Sequence, residues 1–336
     1  MDEQKQKMLE VLQFNKVFIH PEEWIEYGLL HNFKKIQAEE LDECPDCKCR
    51  SFESVGQYIY YSTLVRLQAC TRCGLVFSDK RIDSSVIQSH FEQAYKDEGY
   101  FIDRRRRIFA QISTLASLAA VQGGNILDVG GAKGHLLAML RKRRSDLRFV
   151  VNDLSKEACD YAAHKYGFQT ICGDFNALEK NSFKFDVIIM SDVIYYEPDL
   201  SKLWGILPGL VAENGVVIIR VPNRFPLILF WQFMIHAIGR RANTKMQDQV
   251  RFFNPEHLYV VSRRYLLTRL KELGFTQVTA VPSDLLIKNR GDFWHPLYFY
   301  FCKMLFSLSG GKLMLTPSML VIAKSHKSHD RFWCMS

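Results

Sequence analysis

The sequence predicts an α/β protein: a parallel sheet flanked by helices, preceded by a small cysteine-bearing module. Three observations carry this. Between residues 125 and 221, short apolar runs alternate with helical stretches, the pattern of strands buried on both faces. A glycine-rich turn, Gly130-Gly131-Ala132-Lys133-Gly134, follows the first run. Two Cys-x-x-Cys pairs stand well ahead of it.

Residues 1–40 read as helix, with apolar positions at Leu9, Leu12, Phe14 and Val17, then Trp24, Leu29 and Leu30. Residues 44–78 hold the cysteine pairs and short strand-like runs at 58–61 and 75–77. Residues 84–122 return to helix and stop at Gly123-Gly124. Strands are expected at 125–129, 149–152, 169–172, 186–190 and 216–221. A helix through Leu136, Leu137 and Leu140 links the first two, and Ser155 caps another that ends near Gly167. Residues 262–274 form an amphipathic helix stopped by glycine, and 276–281 and 318–323 supply two last strands. The expected division is a helical segment with the cysteine module in 1–85 and the sheet domain in 86–336, with apolar insertions near 224–256 and 285–312.

The 336 residues suffice for a large core, and 48% hydrophobic with 24% charged residues is ordinary for a folded protein. The N-terminus shows no apolar segment behind a basic start, so no secretory signal is expected. No stretch reaches the roughly 18 apolar residues of a membrane span. The expected location is cytoplasmic, with peripheral contact at the inner face of the membrane the one membrane reading left open. In a reducing compartment, paired cysteines among a total of nine point to metal. The net charge of +8 favours an anionic partner: a nucleic acid, a phosphorylated small molecule or an acidic membrane surface.

A parallel sheet binds its ligand beyond the carboxyl ends of its strands. The first such end here is Asp128-Val129-Gly130-Gly131-Ala132-Lys133-Gly134-His135. Glycines permit a tight turn, and the helix that follows offers unpaired N–H groups. Asp153, 23 positions after Gly130, is at the right distance for ribose hydroxyls. The turn departs from the dinucleotide pattern G-x-G-x-x-G, which argues against a nicotinamide cofactor. Together with Asp128 it resembles the first motif of class I S-adenosylmethionine-dependent methyltransferases, hh[DE]hGxGxG. Asn152-Asp153-Leu154-Ser155 resembles the second motif, Gly173-Asp174-Phe175 the third, and 185–193 the fourth. Glu213-Asn214-Gly215 before 216–223 resembles the fifth-strand region, and Phe275 after Gly274 the start of the sixth strand.

The resemblance spans roughly residues 100–325. It implies a Rossmann-like class I methyltransferase sheet of seven strands, joined here to an N-terminal four-cysteine zinc ribbon and a helical cap. It implies S-adenosylmethionine as cofactor, contacted by Asp128, Gly130, Gly131, Ala132, Gly134, Asp153, Leu154, Asp174, Phe175 and Ser191. Ala132 stands where the motif has its middle glycine and is expected to have negative φ. Tyr195-Tyr196 stand where many relatives carry Glu-His, so no histidine is carried over to that position.

Cys44, Cys47, Cys70 and Cys73 offer four thiolates for a tetrahedral structural Zn2+, with 22 residues between the pairs. Gly74 suits the knuckle turn, and Cys49 competes with Cys47 for the site. A ribbon ending in CGLVF before this core resembles a bacterial group tied to surface polysaccharides and secondary metabolites.

The expected activity is therefore methyl transfer to a small-molecule, sugar or lipid-linked acceptor. Candidate chemical residues are Tyr195, Tyr196 and the adjacent Glu197 after the fourth strand, and His257 after the fifth-strand insertion. The competing enzyme is a zinc-ribbon methyltransferase of ribosomal-RNA bases. The charge and the basic runs 104–107 and 141–144 permit it, but no Asn-Pro-Pro-Tyr-like motif closes the fourth strand. A non-catalytic sensor of the cofactor is the third reading. Two apolar segments, 225–239 and 293–308, are too short to span a bilayer. They are expected to roof the acceptor pocket or to lie in a membrane interface.

Overall fold

Aliphatic and β-branched runs, each ended by glycine, proline or a capping residue, set the elements. The computed structural model describes residues 38–60, 63–82, 98–179, 183–224, 226, 257–286 and 294–325. The chain divides into two compact units, Met1–Ser84 with Arg224–Val260, and Ser85–Asn223 with Val261–Ser336.

In the first unit, β1 (Ala38–Glu40) pairs antiparallel with β5 (Lys80–Ile82), and Lys80 Nζ lies 2.5 Å from Glu40 Oε1. Residues 38–40, read as helix end from the sequence, are strand because β5 supplies a partner edge; the expected helix before them lies outside the described residues. A second sheet orders its strands β11-β4-β3-β2 from β2 (Phe52–Tyr60), β3 (Thr63–Cys70), β4 (Val76–Ser78) and β11 (Tyr259–Val260). Tyr259 pairs with Phe77 and Val260 with Val76, so a strand from after residue 223 completes a sheet begun before residue 84. Val65, Leu67, Leu75 and Phe77 form the buried apolar side.

The second unit holds α1 (Glu98–Ala119), β6 (Asn125–Val129), α2 (His135–Arg141), β7 (Arg148–Asp153), α3 (Lys156–Tyr166), β8 (Gln169–Cys172), α4 (Phe175–Glu179) and β9 (Phe185–Ser191). There follow α5 (Leu200–Leu210), β10 (Val211–Pro222), α6 (Arg263–Glu272), β12 (Phe275–Pro282), α7 (Trp294–Leu308) and β13 (Ser318–Ser325). Seven strands make one sheet, ordered β12-β13-β10-β9-β6-β7-β8. All run parallel except β13, which lies antiparallel between β10 and β12. This is the seven-stranded Rossmann-like arrangement the sequence predicts.

Both faces of the sheet are buried, which is why its strands read as unbroken apolar runs. Ile126, Val151, Val187, Ile189 and Ile218 form one cluster with Ile108, Ile112 and Ala116 of α1 and Leu136, Leu137 and Leu140 of α2. Their neighbours Leu127, Val150, Ile188 and Ile219 alternate to the other face and are equally buried. On that side Trp204 of α5 donates from Nε1 to Tyr265 Oη of α6 at 3.0 Å. Two residues of the basic run 141–144 serve the fold. Arg144 donates to the carbonyls of Ser117, Ala120 and Val121, the free oxygens where α1 ends, and Arg141 to Tyr166 O.

Candidate functional site

Three strand ends converge at one edge of the sheet. In register, Val129 of β6 lies beside Asn152 of β7 and Met190 of β9, so Gly130, Asp153 and Ser191 emerge together. Gly130 takes φ 65°, and a Cβ there would stand 2.6 Å from Val193 Cγ2. Conformation and contact both exclude a side chain. At Gly131 a Cβ would lie 2.9 Å from Asp128 Oδ2, so the Asp128 carboxyl sits directly under the turn. Gly134 caps α2 at φ 76°.

Ala132 corrects an expectation. Its φ is 47°, not negative. A non-glycine residue there costs about 1–2 kcal/mol. The Ala132 N–H donates to Asp153 Oδ2 at 2.9 Å, a charge-assisted bond that offsets the strain. Ser155 N–H donates to Asp153 Oδ1 at 2.9 Å, and Ser155 Oγ caps α3 by accepting from Ala158 N–H. Asp153 therefore joins the turn after β6 to the start of α3. A carboxylate with about four acceptor positions can serve these donors and ligand hydroxyls together.

Leu154, the next residue, is 51% exposed, an apolar surface uncovered beside the acid. Ser191 Oγ is buried with no hydrogen-bond partner among the described residues. Asp174 accepts from the backbone and side chain of Asn176 at 3.0 and 2.6 Å, at the start of α4. Phe175 is buried at the start of that helix, next to Asp174. Bare backbone at the turn, an acid, an uncovered leucine and an orphaned hydroxyl fit the nucleoside cofactor expected from the sequence.

Burial, with the nearby Asp153 charge, lifts the Asp128 carboxyl to about 8. The folded protein thus holds a proton that the unfolded chain releases near the ordinary carboxylate pKa of about 4. Stability of the ligand-free protein is expected to fall as pH rises from about 4 to about 8. Asp128→Asn, which cannot ionise, should flatten that decline in a melting-temperature series, and parallel curves for the two proteins would refute the assignment.

The opposite side of the edge is built after β9. Asp192 takes φ 60°, a second strained non-glycine position. Its N–H donates to Arg220 O at 3.0 Å, and its Oδ2 accepts from Arg105 of α1 at 3.1 Å and from Arg220 of β10. Arg220 Nε also donates to Ser283 Oγ at 2.8 Å. This buried cluster holds the reverse of chain that brings Val193 against Gly130. Sequence reading missed it, and took Arg105 only as part of the basic run 104–107 that permits an RNA substrate. The available signal was Arg220, a charge inside an apolar strand that needs a buried partner.

A single turn at Ile194–Tyr196 follows. The Tyr195 and Tyr196 rings lie 4.6 Å apart, tilted by 51°. Tyr195 is buried, and burial, with the Asp192 charge, raises its pKa well above the phenol value, so it stays protonated. Burial lifts Glu197 to about 7 against the restraining Asp199 N–H, with the Asp174 charge adding to the rise. His257 belongs to the first unit. It is buried, and burial, then the Arg224 charge, holds it well below the usual imidazole pKa, so it is neutral at pH 7.

Also in the first unit, the sulfurs of Cys44, Cys47, Cys70 and Cys73 all lie within 4.8 Å of one another. The 44–73 and 47–70 separations are 3.7 and 3.5 Å. Zn–S bonds of about 2.3 Å require S···S edges of about 3.8 Å, so the spacing fits a tetrahedral ion. The two knuckles share one turn. Lys48 N–H reaches Cys44 O at 3.0 Å and Gly74 N–H reaches Cys70 O at 2.9 Å, with φ of 58° and 74°. Cys49 turns away, its sulfur accepting from Ser51 N–H at 3.4 Å. Crowding sets the thiols against each other: the Cys73 hydrogen bond holds Cys44 down to about 6, while burial lifts Cys47 to about 11. A cation would relieve that conflict by ionising all four.

A family described as a methyltransferase domain matches residues 100–280, more than half of the chain. No curated protein matches. Similar solved structures include a SAM-dependent methyltransferase from Archaeoglobus fulgidus, 17% identical, covering 67% of this chain and 99% of that one with a TM-score of 0.42. An O-methyltransferase family protein from Burkholderia thailandensis is 15% identical and covers 74% and 64%, with a TM-score of 0.46. The plantazolicin methyltransferase BpumL in complex with SAH is 15% identical and covers 73% and 91%, with a TM-score of 0.41.

Proposed function

The chain belongs to the methyltransferase-domain family and is an S-adenosylmethionine-dependent enzyme; from that premise we propose that it methylates an oxygen or an acidic carbon of a small-molecule, sugar or lipid-linked acceptor. The observation that carries the reading is the contact of Val193 with Gly130. It supports a reading in which the segment 194–197, at the carboxyl end of β9 and next to the turn, lines the place where an acceptor would meet the methyl group.

When bound, S-adenosylmethionine supplies a methyl carbon made electrophilic by its sulfonium charge. Asp153 would hold it at the ribose and Asp174 at the adenine, with Leu154 and the backbone of Gly130, Gly131, Ala132 and Gly134 lining the place and Asp128 beneath the turn. Ser191 Oγ offers a further donor at the same edge. The protein's main task is then proximity and orientation. An alcohol or acidic carbon must also lose a proton, and Glu197, with a pKa of about 7, is the carboxylate suited to receive it at Oε. Tyr195 stays protonated and positions, while Tyr196 packs beside the reacting groups. Cys44, Cys47, Cys70 and Cys73 hold a structural Zn2+ with no open position for chemistry.

The test is transfer of isotope-labelled methyl from S-adenosylmethionine into a metabolite and lipid extract, with ribosomal RNA as a parallel arm. Label in a small or lipid-linked acceptor supports the reading, and label in RNA replaces it. With an acceptor in hand, kcat should climb about tenfold per pH unit below about 7 and then level, as Glu197 loses its proton. Glu197→Gln should lower kcat by about 100-fold or more and abolish the inflection. His257→Ala should change kcat less than about tenfold. A Glu197→Gln enzyme with an unchanged pH profile would remove Glu197 as the base and return that role to His257.

A further inference from the structure

A surface helix normally turns one apolar stripe inward and a polar face outward. Helix α7 does not. Phe299 and Cys302 are buried on one side. At about 100° per residue, Leu297, Phe301, Met304 and Leu308 fall within an arc of about 60° on the opposite side. These four are 49%, 53%, 49% and 76% exposed. Leu313 just beyond the helix is exposed as well. The helix is thus apolar on two opposed faces, and only one is covered among the described residues.

We propose that α7 is an interfacial helix, and that its outer stripe seats the protein on an anionic lipid surface. Charge supports this occupant over a second protein copy. From residue 294 to 325 the chain carries Lys303, Lys312 and Lys324 and no acidic residue. Lys303 and Lys312 are exposed, one on the helix and one just beyond its end. Arg107 of α1 donates to Tyr300 Oη at 2.8 Å, and the exposed Arg104, one turn earlier, shares that face of α1. Tyr298 and Tyr300, both partly exposed, flank the stripe with polar tips, the arrangement that suits headgroup depth. A 15-residue helix, about 22 Å long, is too short to span but suited to lie in the interface plane. The formal charge of +8 acts in the same direction. The proposal stands apart from the identity of the acceptor, although a membrane-seated enzyme would meet a lipid-linked one directly.

The test is flotation of the full-length protein with vesicles of phosphatidylcholine alone and of phosphatidylcholine mixed with an equal part of phosphatidylglycerol. Binding is expected to the mixed vesicles, with weakening as salt rises. The double variant Phe301→Ser/Met304→Ser should bind them at least about tenfold more weakly. Its affinity for S-adenosylhomocysteine by calorimetry should be unchanged, which separates this test from that of the enzyme reading. Wild-type protein that floats with neither vesicle overturns the proposal, as does a double variant that floats equally well. A wild-type dimer in light scattering that the double variant dissolves would assign the face to a second copy and overturn it too.

Discussion

Asp153→Ala is expected to weaken S-adenosylmethionine and S-adenosylhomocysteine binding by at least about 100-fold in calorimetry. The size follows from what one carboxylate does. It would accept ligand hydroxyls, each charged bond contributing about 1.5–3 kcal/mol. It also holds Ala132 in its strained conformation and fixes Ser155 at the cap of α3. Its loss frees the turn to relax, so cofactor backbone contacts go with the hydroxyl contacts. Asp153→Asn keeps one acceptor oxygen and should fall between. A dissociation constant for Asp153→Ala within threefold of wild type would sink the placement of the cofactor over this edge.

Cys70→Ser should have the largest effect on the first unit. Its described apolar interior is small, built around Val65, Leu67, Leu75 and Phe77. Structural zinc supplies about 10–16 kcal/mol of apparent binding free energy to modules of this kind. The serine variant is expected to lose metal from about one equivalent and to open residues 38–82 to protease while cofactor binding by the second unit persists. Cys49→Ser should do neither, because Cys49 lies outside the sulfur cluster. Wild-type protein with less than about half an equivalent of zinc, or a Cys70→Ser protein as protease-resistant as wild type, would remove the metal from the fold.

The central strands were legible because burial on both faces leaves an unbroken apolar run, as at 187–190 and 216–219, while the edge strand Gln169–Cys172 is half exposed and shows its place only by its spacing. The turn at 130–134 was legible because glycine is required there for reasons local to the chain. The strand β3 was not, since Thr63–Cys70 mixes Arg66 and Gln68 with its inward residues and no glycine or proline marks the turn before it. The end strand β1 was hidden for a related reason: three residues become strand through the partner β5, not through their own pattern. The Arg105–Asp192–Arg220 cluster draws on three elements widely separated in sequence, so no spacing rule could assemble it. The conformation of Ala132 escaped because its compensation, the Asp153 hydrogen bond, comes from the next strand.

The position of β13 bears on how the protein is made. Its Ser318–Ser325 strand fills the slot between β10 and β12, so the outer edge of β10, which pairs with β9 on its other side, and the inner edge of β12 stay open until the later strand arrives. Synthesis at about 5–20 residues per second leaves the β10 edge open for roughly 5–20 seconds after Pro222 is made. That edge carries Val216, Val217, Ile218 and Ile219 in succession, a run well suited to cross-chain pairing. The outer edge of β10 is thus covered only once β13 is in place.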